Sequence, residues 1–184
     1  MKEVFKTGAK LAVICAVAAI SLGIVNAVTD PIIIAARAAR LEAALQKLSL
    51  GLEIGELVEV GNDSAITGYY PLIKDGNIVA YIVKVIGAGY ADDLNLLSAI
   101  SLKGKILSAV LMENSETPGL GKEAENTSYM EMFVGKGDGS VIPYRKTQLD
   151  PDEADSITGA SITFIGIGKA LNAASEFAVK IGGM

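Results

Sequence analysis

The sequence predicts an α+β protein in which a transmembrane helix near the N-terminus is followed by a domain with an antiparallel sheet packed against helices. Two observations support this prediction. An apolar stretch without a charged residue runs from Leu11 to Val28, and the middle of the chain reads as extended runs joined by tight turns. The 184 residues are enough for one domain with an appendage and too few for two full domains.

The apolar stretch from Leu11 to Val28 is long enough to be a membrane anchor. At about 1.5 Å per residue it forms roughly 27 Å of helix, close to the ~30 Å hydrocarbon core of a bilayer. A buried core helix is one alternative, and the length disfavours it. A cleaved signal peptide is another, because Val25 and Ala27 are small residues at a suitable spacing, but the apolar region exceeds the usual ~7–15 residues of such peptides. We therefore expect a retained anchor.

Basic residues flank this anchor unequally. Lys2, Lys6 and Lys10 precede it, whereas Arg37 and Arg40 follow soon after it. Since positively charged flanks favour the cytoplasmic side, the sequence predicts a single-pass protein of the cell membrane whose C-terminal domain is extracytoplasmic. A signal peptide would place the domain on the same side of the membrane.

Composition excludes several classes of function. The chain has no histidine, which rules out a Ser-His-Asp or Cys-His triad and removes the commonest ligand of zinc and iron. Its one cysteine, Cys15, excludes an intrachain disulfide and an iron–sulfur cluster held by this chain alone. The net charge is −5 without a run of Lys or Arg, so no nucleic-acid partner is expected. We expect neither a catalytic residue nor a metal site.

A second helix is predicted directly after the anchor. Asp30 is placed to cap it, Pro31 suits its first position, and Gly51 is a natural stop. The chain is thus expected to divide into an N-terminal tip and anchor (1–28), a juxtamembrane helix (29–51) and a domain (52–184). Apolar residues at steps of three and four mark one face of this helix: Ile34, Ala38, Leu41, Leu45 and Leu48.

Two hairpins are predicted in the middle of the chain. Asp75-Gly76 joins the first pair of extended runs and is a strong hairpin signal, and the pattern repeats around Lys103-Gly104. In the last run, Ile106, Val110 and Met112 are expected on one side of the strand. The four strands imply an antiparallel sheet that can cover one face with helices. A short helix ending in a glycine-rich loop is expected next.

The last helix is predicted from apolar residues at steps of three and four, and it fades at Gly182-Gly183. The hydroxyl-rich segment 158–163 therefore lies at its N-terminus, where unpaired N–H groups and a partial positive charge attract anions. Phosphate is the ligand that fits. Ordinary Ser/Thr capping of the helix is the alternative. The apolar residues of this helix are Phe164, Ile167, Leu171, Ala174, Ala178 and Ile181.

Two motifs resemble those of a known family of flavoproteins. The first, "SETPGLG", occupies residues 115–121 after the fourth predicted strand, and the second, "DSITGASIT", occupies residues 155–163. Together they resemble the FMN-binding domain of the G subunit of the Rnf electron-transport complex and of the related C subunit of the sodium-translocating NADH:quinone reductase. The anchor, the "VNAVTDP" that follows it and the hairpins fit as well, so the resemblance covers nearly the whole chain. In its compactness the chain resembles the Rnf G subunit more than the C subunit of the sodium-translocating reductase.

In that family the second motif reads Asp, two residues, Ser or Thr, Gly, Ala, Ser or Thr, any residue and Thr, and it is the acceptor of a flavin transferase. The resemblance implies that Thr163 is esterified to the phosphate of FMN and that a separate transferase attaches it. Thr158 and Ser161 stand where the family more often has Ser and Thr, and both keep the hydroxyl. The cofactor-binding residues implied by this motif are Asp155, Thr158, Gly159, Ala160, Ser161, Ile162 and Thr163.

The first motif is expected to lie against the flavin. A strand-to-helix turn without a ligand is the alternative, because the spacing of proline and glycine would satisfy it. The stretch "IGAGY", residues 86–90, is a further candidate border of the pocket, because its glycines follow a strand and Tyr90 could stack or hydrogen-bond there; a plain loop is the alternative. The contacts implied by the first motif are Glu116, Thr117, Pro118, Gly119, Leu120 and Gly121.

By resemblance, the expected function is electron relay by covalent FMN in a membrane complex that couples ferredoxin oxidation and NAD+ reduction to Na+ or H+ transport. The chain would be a subunit of an ion-translocating oxidoreductase without an NAD or ferredoxin site of its own. Its partners would be the other Rnf subunits and, during maturation, a flavin transferase. Two alternatives are a membrane-anchored flavodomain of another reductase and an anchored binding or assembly module without a redox cofactor.

Overall fold

The computed structural model describes residues 2–61 and 65–183, and the chain divides into two units. The first unit extends to Glu42, and the second begins at Ala43. A single helix, α1 (Lys2–Leu48), makes up the described part of the first unit and ends within the second. The predicted α+β class is confirmed, because an apolar N-terminal helix is followed by an antiparallel sheet and further helices.

Helix α1 is long and apolar enough to cross a membrane, judged by its length and composition, and its apolar window is fully exposed. Two hydroxyl side chains of this region donate hydrogen bonds within the helix itself. The Ser21 hydroxyl donates to the Val17 carbonyl at 2.8 Å, and the Thr29 hydroxyl donates to the Val25 carbonyl at 2.9 Å. Such bonds satisfy hydroxyl groups where lipid offers no partner. The helix is therefore a possible single membrane span.

The predicted start of a second helix at Asp30 and Pro31 is wrong, because α1 continues through both residues. A proline inside a helix removes one N–H from the ladder and crowds the carbonyl four residues earlier, at a cost of about 3 kcal/mol. The alanine-rich sequence that follows is strongly helix-forming and carries the helix onward. Of the predicted apolar face, Leu48 is buried, whereas Ile34 and Ala38 are exposed. The predicted stop is confirmed, since Gly51 has a left-handed φ of 78°.

The sheet contains the four predicted strands and two short ones that the sequence did not reveal. Its strand order is β1-β3-β4-β5-β6, β2 also pairs with β3, and all pairs are antiparallel. The strands are β1 (Glu53–Ile54), β2 (Val58–Glu59), β3 (Ile66–Lys74), β4 (Asn77–Ala88), β5 (Asp93–Ser101) and β6 (Ile106–Glu113).

Both predicted hairpins are confirmed. Asp75 and Gly76 connect β3 to β4 with φ values of 51° and 77°, which is the left-handed pair that a two-residue type I′ turn requires. Gly104, with φ of 85°, lies in the turn between β5 and β6. Both reversals of the chain therefore occur at residues that adopt a positive φ.

The side of β6 that faces the core differs from the prediction. Ile106 is buried as expected, but Val110 and Met112 are only half-buried, and Ala109 and Leu111 belong to the core instead. The reason is a bulge. Pairing with β5 shifts register immediately after Ile106, which inserts one residue and moves the following side chains to the opposite face.

Short helical segments connect β6 to the last helix, α4 (Ser161–Gly182), and the predicted short helix is confirmed. The connecting segments are a 3₁₀ turn (Gly121–Glu125), α2 (Thr127–Glu131), a second 3₁₀ turn (Lys146–Gln148) and α3 (Pro151–Ser156).

The core of the second unit lies between the sheet and α4, which packs against β4 and β5. The predicted apolar face of α4 is confirmed: Phe164, Ile167 and Leu171 are fully buried. The ring of Phe164 stacks on that of Phe133 with a centroid separation of 5.5 Å. This packing places the N-terminus of α4 beside the end of β4.

Candidate functional site

A cleft opens at the N-terminus of α4, where three segments of the chain meet. The connection between β4 and β5, the loop after β6 and the first turn of α4 enclose about 470 Å³, within the ~300–1,000 Å³ usual for small-molecule sites. Each of the lining residues was a predicted site residue. They are Tyr90, Glu116, Thr117, Leu120, Gly121, Gly159, Ala160, Ser161, Ile162 and Thr163.

At the base of the cleft, Thr163 and Glu116 form a buried hydrogen bond. The Thr163 hydroxyl Oγ1 donates to Glu116 Oε2 at 2.7 Å. Thr163 is 1% exposed to solvent and Glu116 is 4% exposed. Because both groups are withdrawn from water, the strength of this bond is not diluted by solvent. The two motifs are therefore joined by a direct contact between their side chains.

The second carboxylate oxygen of Glu116 is held by backbone amides. Oε1 accepts a hydrogen bond from Tyr90 N–H at 2.7 Å and a longer one from Ala91 N–H at 3.3 Å. The backbone N–H of Glu116 itself donates to Asn114 Oδ1 at 3.0 Å. A carboxylate buried this deeply needs such partners, since an unpaired buried charge is costly. Sequence reasoning missed the contributions of Ala91 and Asn114.

Two glycines leave the space that the Glu116 carboxylate occupies. A Cβ on Gly89 would overlap Oε1, and a Cβ on Gly121 would overlap Oε2 and approach Thr163 Oγ1 to 2.7 Å. Gly121 was predicted from the first motif. Gly89 was predicted only as part of the glycine-rich stretch that contains Tyr90 and not as a site residue of its own. It lies beside the carboxylate of Glu116, which belongs to a loop far away in the sequence, and the local sequence does not reveal this contact.

The N-terminus of α4 is open toward an anion. Its N-cap is Ala160, which has no capping side chain among the described residues, and the first ladder bond runs from Phe164 N–H to the Ala160 carbonyl at 3.0 Å. The N–H groups of residues 161–163 therefore precede the ladder and are available to a ligand. Ser/Thr capping of this helix, the alternative considered from the sequence, is not what the hydroxyls do.

Four predicted site residues do not line the cleft: Asp155, Thr158, Pro118 and Gly119. Asp155 is exposed on α3. The Thr158 hydroxyl accepts a hydrogen bond from Lys146 Nζ at 3.0 Å and donates to the Ala154 carbonyl at 3.4 Å. Gly119 has φ of 75°, so it shapes the turn that brings Leu120 and Gly121 to the cleft.

The cleft has the features that FMN requires. The open helix N-terminus suits a phosphate group. Apolar side chains stand exposed at the rim, where a flat aromatic ring could cover them: Tyr90 is 71% exposed, Ile162 51% and Leu120 43%. Among the described glycines that border the cleft, Gly159 has φ of 88°, which allows the backbone to turn directly before α4. Polar groups at the base and apolar groups at the rim match a ligand with one phosphate end and one aromatic end.

The family model described as the FMN-binding domain matches residues 89–176, a range that contains the whole lining of the cleft. Fold and cleft together thus define the class of the second unit, an FMN-binding domain. The G subunit of the Na(+)-translocating ferredoxin:NAD(+) oxidoreductase complex of Acetobacterium woodii is 32% identical over 93% of this chain and 89% of its own length. The chain belongs to the family of these G subunits, as the sequence motifs predicted.

Two further relatives are G subunits of complexes with similar names. The G subunit of the proton-translocating ferredoxin:NAD(+) oxidoreductase complex of Clostridium ljungdahlii is 24% identical over 95% of this chain and 91% of its own length. The G subunit of the ion-translocating oxidoreductase complex of Vibrio vulnificus is 29% identical over 64% of this chain and 57% of its own length. The similarity to the Clostridium protein therefore extends over α1 as well as the FMN-binding domain.

Proposed function

We propose that this chain is the electron-relay subunit of a membrane-bound, ion-translocating ferredoxin:NAD+ oxidoreductase complex and that it carries FMN covalently on Thr163. The observation that carries the covalent assignment is the buried Thr163 hydroxyl, which lies in the first turn of α4 beside amides that can hold a phosphate. Membership of the G-subunit family supports the relay function. FMN supplies the redox chemistry, since its ring system accepts and passes on electrons.

The residues of the cleft divide the work of holding the cofactor. The N–H groups of residues 161–163 hold the phosphate, and the partial positive charge of the α4 N-terminus balances the charge that a phosphodiester retains. Leu120, Ile162 and Tyr90, exposed at the rim of the cleft, would contact the aromatic ring of the cofactor. A ring bound there would remain within reach of a neighbouring electron carrier. The chain itself then needs no catalytic histidine or metal ligand.

The proposal also includes the anchor and the partners. Helix α1 crosses the cell membrane once, with residues 1–28 forming the cytoplasmic tip and span, 29–51 the helical connection and 52–184 the extracytoplasmic domain. The excess of lysine before the span supports this orientation. The other subunits of the complex are its partners, and a separate flavin transferase attaches the FMN. Covalent attachment keeps the cofactor on a domain from which dissociated FMN would be lost by dilution.

Peptide mass mapping tests the proposal. The full-length chain is produced with and without a flavin transferase and digested with trypsin. The fragment between Lys146 and Lys169 contains five hydroxyl side chains, so fragment-ion sequencing must place the FMN adduct on Thr163. We expect Thr163→Val to remove the adduct and Ser161→Ala to keep it. An adduct retained in the valine variant, or its absence from the wild type made with the transferase, contradicts the assignment.

A further inference from the structure

We propose that Glu116 acts directly in the attachment of FMN, by orienting the Thr163 hydroxyl and accepting its proton as the phosphoester forms. The inference rests on the proposed function, because it requires Thr163 to be the acceptor. It goes beyond that function by assigning a chemical step to a residue of the acceptor chain itself.

The hydrogen bond fixes which way the Thr163 hydroxyl points. Its hydrogen is directed at Glu116 Oε2 over 2.7 Å, so the lone pairs of Oγ1 are directed away from the carboxylate. Thr163 also lines the cleft, which is the space from which a phosphate group can approach. A hydroxyl held in this way has its proton acceptor in place before the phosphate arrives.

Glu116 is built into its position. Its Oε1 accepts from Tyr90 N–H and Ala91 N–H, which leaves Oε2 to Thr163. A Cβ on Gly121 would overlap Oε2, and a Cβ on Gly89 would overlap both Oε1 and the Asp92 carbonyl oxygen. Any buried carboxylate needs hydrogen-bond partners of this kind. Here the two amides take Oε1, so the arrangement fixes Oε2 against the Thr163 hydroxyl.

The same geometry explains how one hydroxyl is selected among several in the second motif. Ser156 Oγ donates to the Glu153 carbonyl at 2.7 Å, and Thr158 Oγ1 is engaged by Lys146 and Ala154. Ser161 is exposed to solvent. Within the described part of this motif, Thr163 is the hydroxyl paired with a carboxylate. Selection of the acceptor thus follows from the pairing with Glu116 and not from exposure, since Thr163 is the more buried of the motif's two hydroxyls that line the cleft.

The chemical step balances with a flavin nucleotide that carries an activated phosphate, such as the pyrophosphate FAD supplied by the transferase. Thr163 Oγ1 attacks the phosphorus on the FMN side, the Oγ1–P bond forms, and the P–O bond to the AMP portion breaks. AMP leaves with the electron pair of that bond, and the hydroxyl proton passes to Glu116 Oε2. No group is oxidised or reduced. The proton on Glu116 also removes a repulsion between two anions, since the new phosphodiester keeps a negative charge beside it.

The test measures the initial rate of adduct formation by intact mass. Purified full-length chain without flavin is mixed with transferase and saturating FAD, and the concentration of the chain is varied. For Glu116→Gln, which keeps the shape and loses the basicity, we expect the maximal rate to fall at least about 100-fold, while the KM for the chain stays near that of the wild type. Damage to the docking surface would instead raise the KM. Glu123→Gln, the same change at an exposed position nearby, should leave both constants unchanged.

A second variant keeps the test decisive if Glu116→Gln does not fold. If thermal unfolding shows that Glu116→Gln is not folded, Glu116→Asp is measured, which keeps the charge but draws the carboxylate back from Oγ1. We then expect a maximal rate at least about tenfold below wild type. A folded glutamine or aspartate variant that reacts at the wild-type rate overturns the role of Glu116 and leaves Thr163 as the acceptor. A wild type that forms no adduct on Thr163 overturns the proposed function instead.

Discussion

The backbone carbonyl of Ala88, at the end of β4, lies where a side chain on Gly166 of α4 would stand. A Cβ on Gly166 would overlap that carbonyl oxygen, and a Cβ on Gly87 would come within 2.8 Å of the Gly166 carbonyl oxygen. Strand and helix therefore pack backbone against backbone at this point. Because Thr163 lies in the preceding turn of α4, the contact sets how closely its hydroxyl approaches the connection after β4, whose Tyr90 and Ala91 amides hold Glu116.

Gly166→Ala should push α4 away from β4 and weaken both the fold and the site. Alanine gains up to about 1 kcal/mol of helix propensity over glycine, but overpacking of this kind costs about 1–3 kcal/mol. We expect a net loss of stability and a thermal unfolding midpoint that is lower by several degrees, with slower FMN attachment. Thermal unfolding of the full-length chain in detergent measures the change in stability. The rate at which the FMN adduct appears in the intact mass measures the change in attachment.

Gly182→Ala, at the end of the same helix, is the matched control. Its new Cβ would lie 3.3 Å from Leu102, which a small adjustment can relieve. We expect this variant to unfold within about 0.5 kcal/mol of the wild type and to take up FMN normally. Equal loss in both variants would mean that Gly166 has no special packing role.

Substitutions of two glycines in the first motif distinguish residues that shape the site from residues that shape the turn. Gly121→Ala should displace Glu116 and Thr163, because its Cβ would overlap one and crowd the other. Gly119→Ala meets nothing within 4 Å among the described residues, but the φ of 75° strains any side chain there. We expect Gly121→Ala to abolish or strongly slow FMN attachment, and Gly119→Ala to lower stability by about 1 kcal/mol while attachment persists.

The reverse pattern, with attachment lost only in Gly119→Ala, would show that the turn matters and the contact with Glu116 does not. The rate of adduct formation and the thermal unfolding midpoint distinguish the two patterns, since one reports the site and the other the backbone strain.

Features that depend on residues close in the sequence were predicted, whereas features that depend on residues far apart in the sequence were not. The turn at Asp75-Gly76 and the apolar face of α4 depend on neighbouring residues, and both were predicted. The motifs also predicted Glu116 and Thr163 as site residues. Their hydrogen bond was not predicted, because 47 residues separate them and the contact depends on how α4 packs on β4. The bulge after Ile106 is likewise set by pairing with β5.

Helix α1 shows a different limit. Asp30 followed by Pro31 is a good local signal for a helix start, yet the helix continues through it. Such a boundary signal competes with the helix propensity of the residues on both sides, and here the long apolar and alanine-rich run outweighs one proline.

Tyr129→Phe should stabilise the domain. The Tyr129 hydroxyl is buried without a hydrogen-bond partner in the described part of the chain. An unpaired buried hydroxyl costs about 1–3 kcal/mol, so removing it should raise the free energy of unfolding by about 1 kcal/mol. Chemical unfolding of the full-length chain in detergent at about pH 8, where the tyrosine is protonated in both states, measures the difference. A destabilised phenylalanine variant would imply that the hydroxyl has a favourable partner.

The same tyrosine predicts a dependence on alkaline pH. Burial, and secondarily the negative charge of Glu116, raises the pKa of Tyr129 above its ordinary value of 10.0. Above about pH 10 the unfolded chain releases this proton while the folded chain keeps it, so stability falls as pH rises, by at most about 1.4 kcal/mol per pH unit. From about pH 10 to about pH 11, the wild type should therefore lose stability faster than Tyr129→Phe. Parallel curves would contradict the raised pKa.

The orientation of the chain can be tested with single cysteines in a Cys15→Ala background. Ser128 lies exposed in α2 of the domain, and Thr7 lies near the N-terminus of α1. Because the lysines before the span favour the cytoplasm, a membrane-impermeant maleimide should label Ser128→Cys in intact spheroplasts and Thr7→Cys only after lysis. Replacing Lys2, Lys6 and Lys10 with glutamate should weaken this asymmetry. Labelling of Thr7→Cys, with protection of Ser128→Cys, would place the FMN-binding domain in the cytoplasm and reverse the proposed topology.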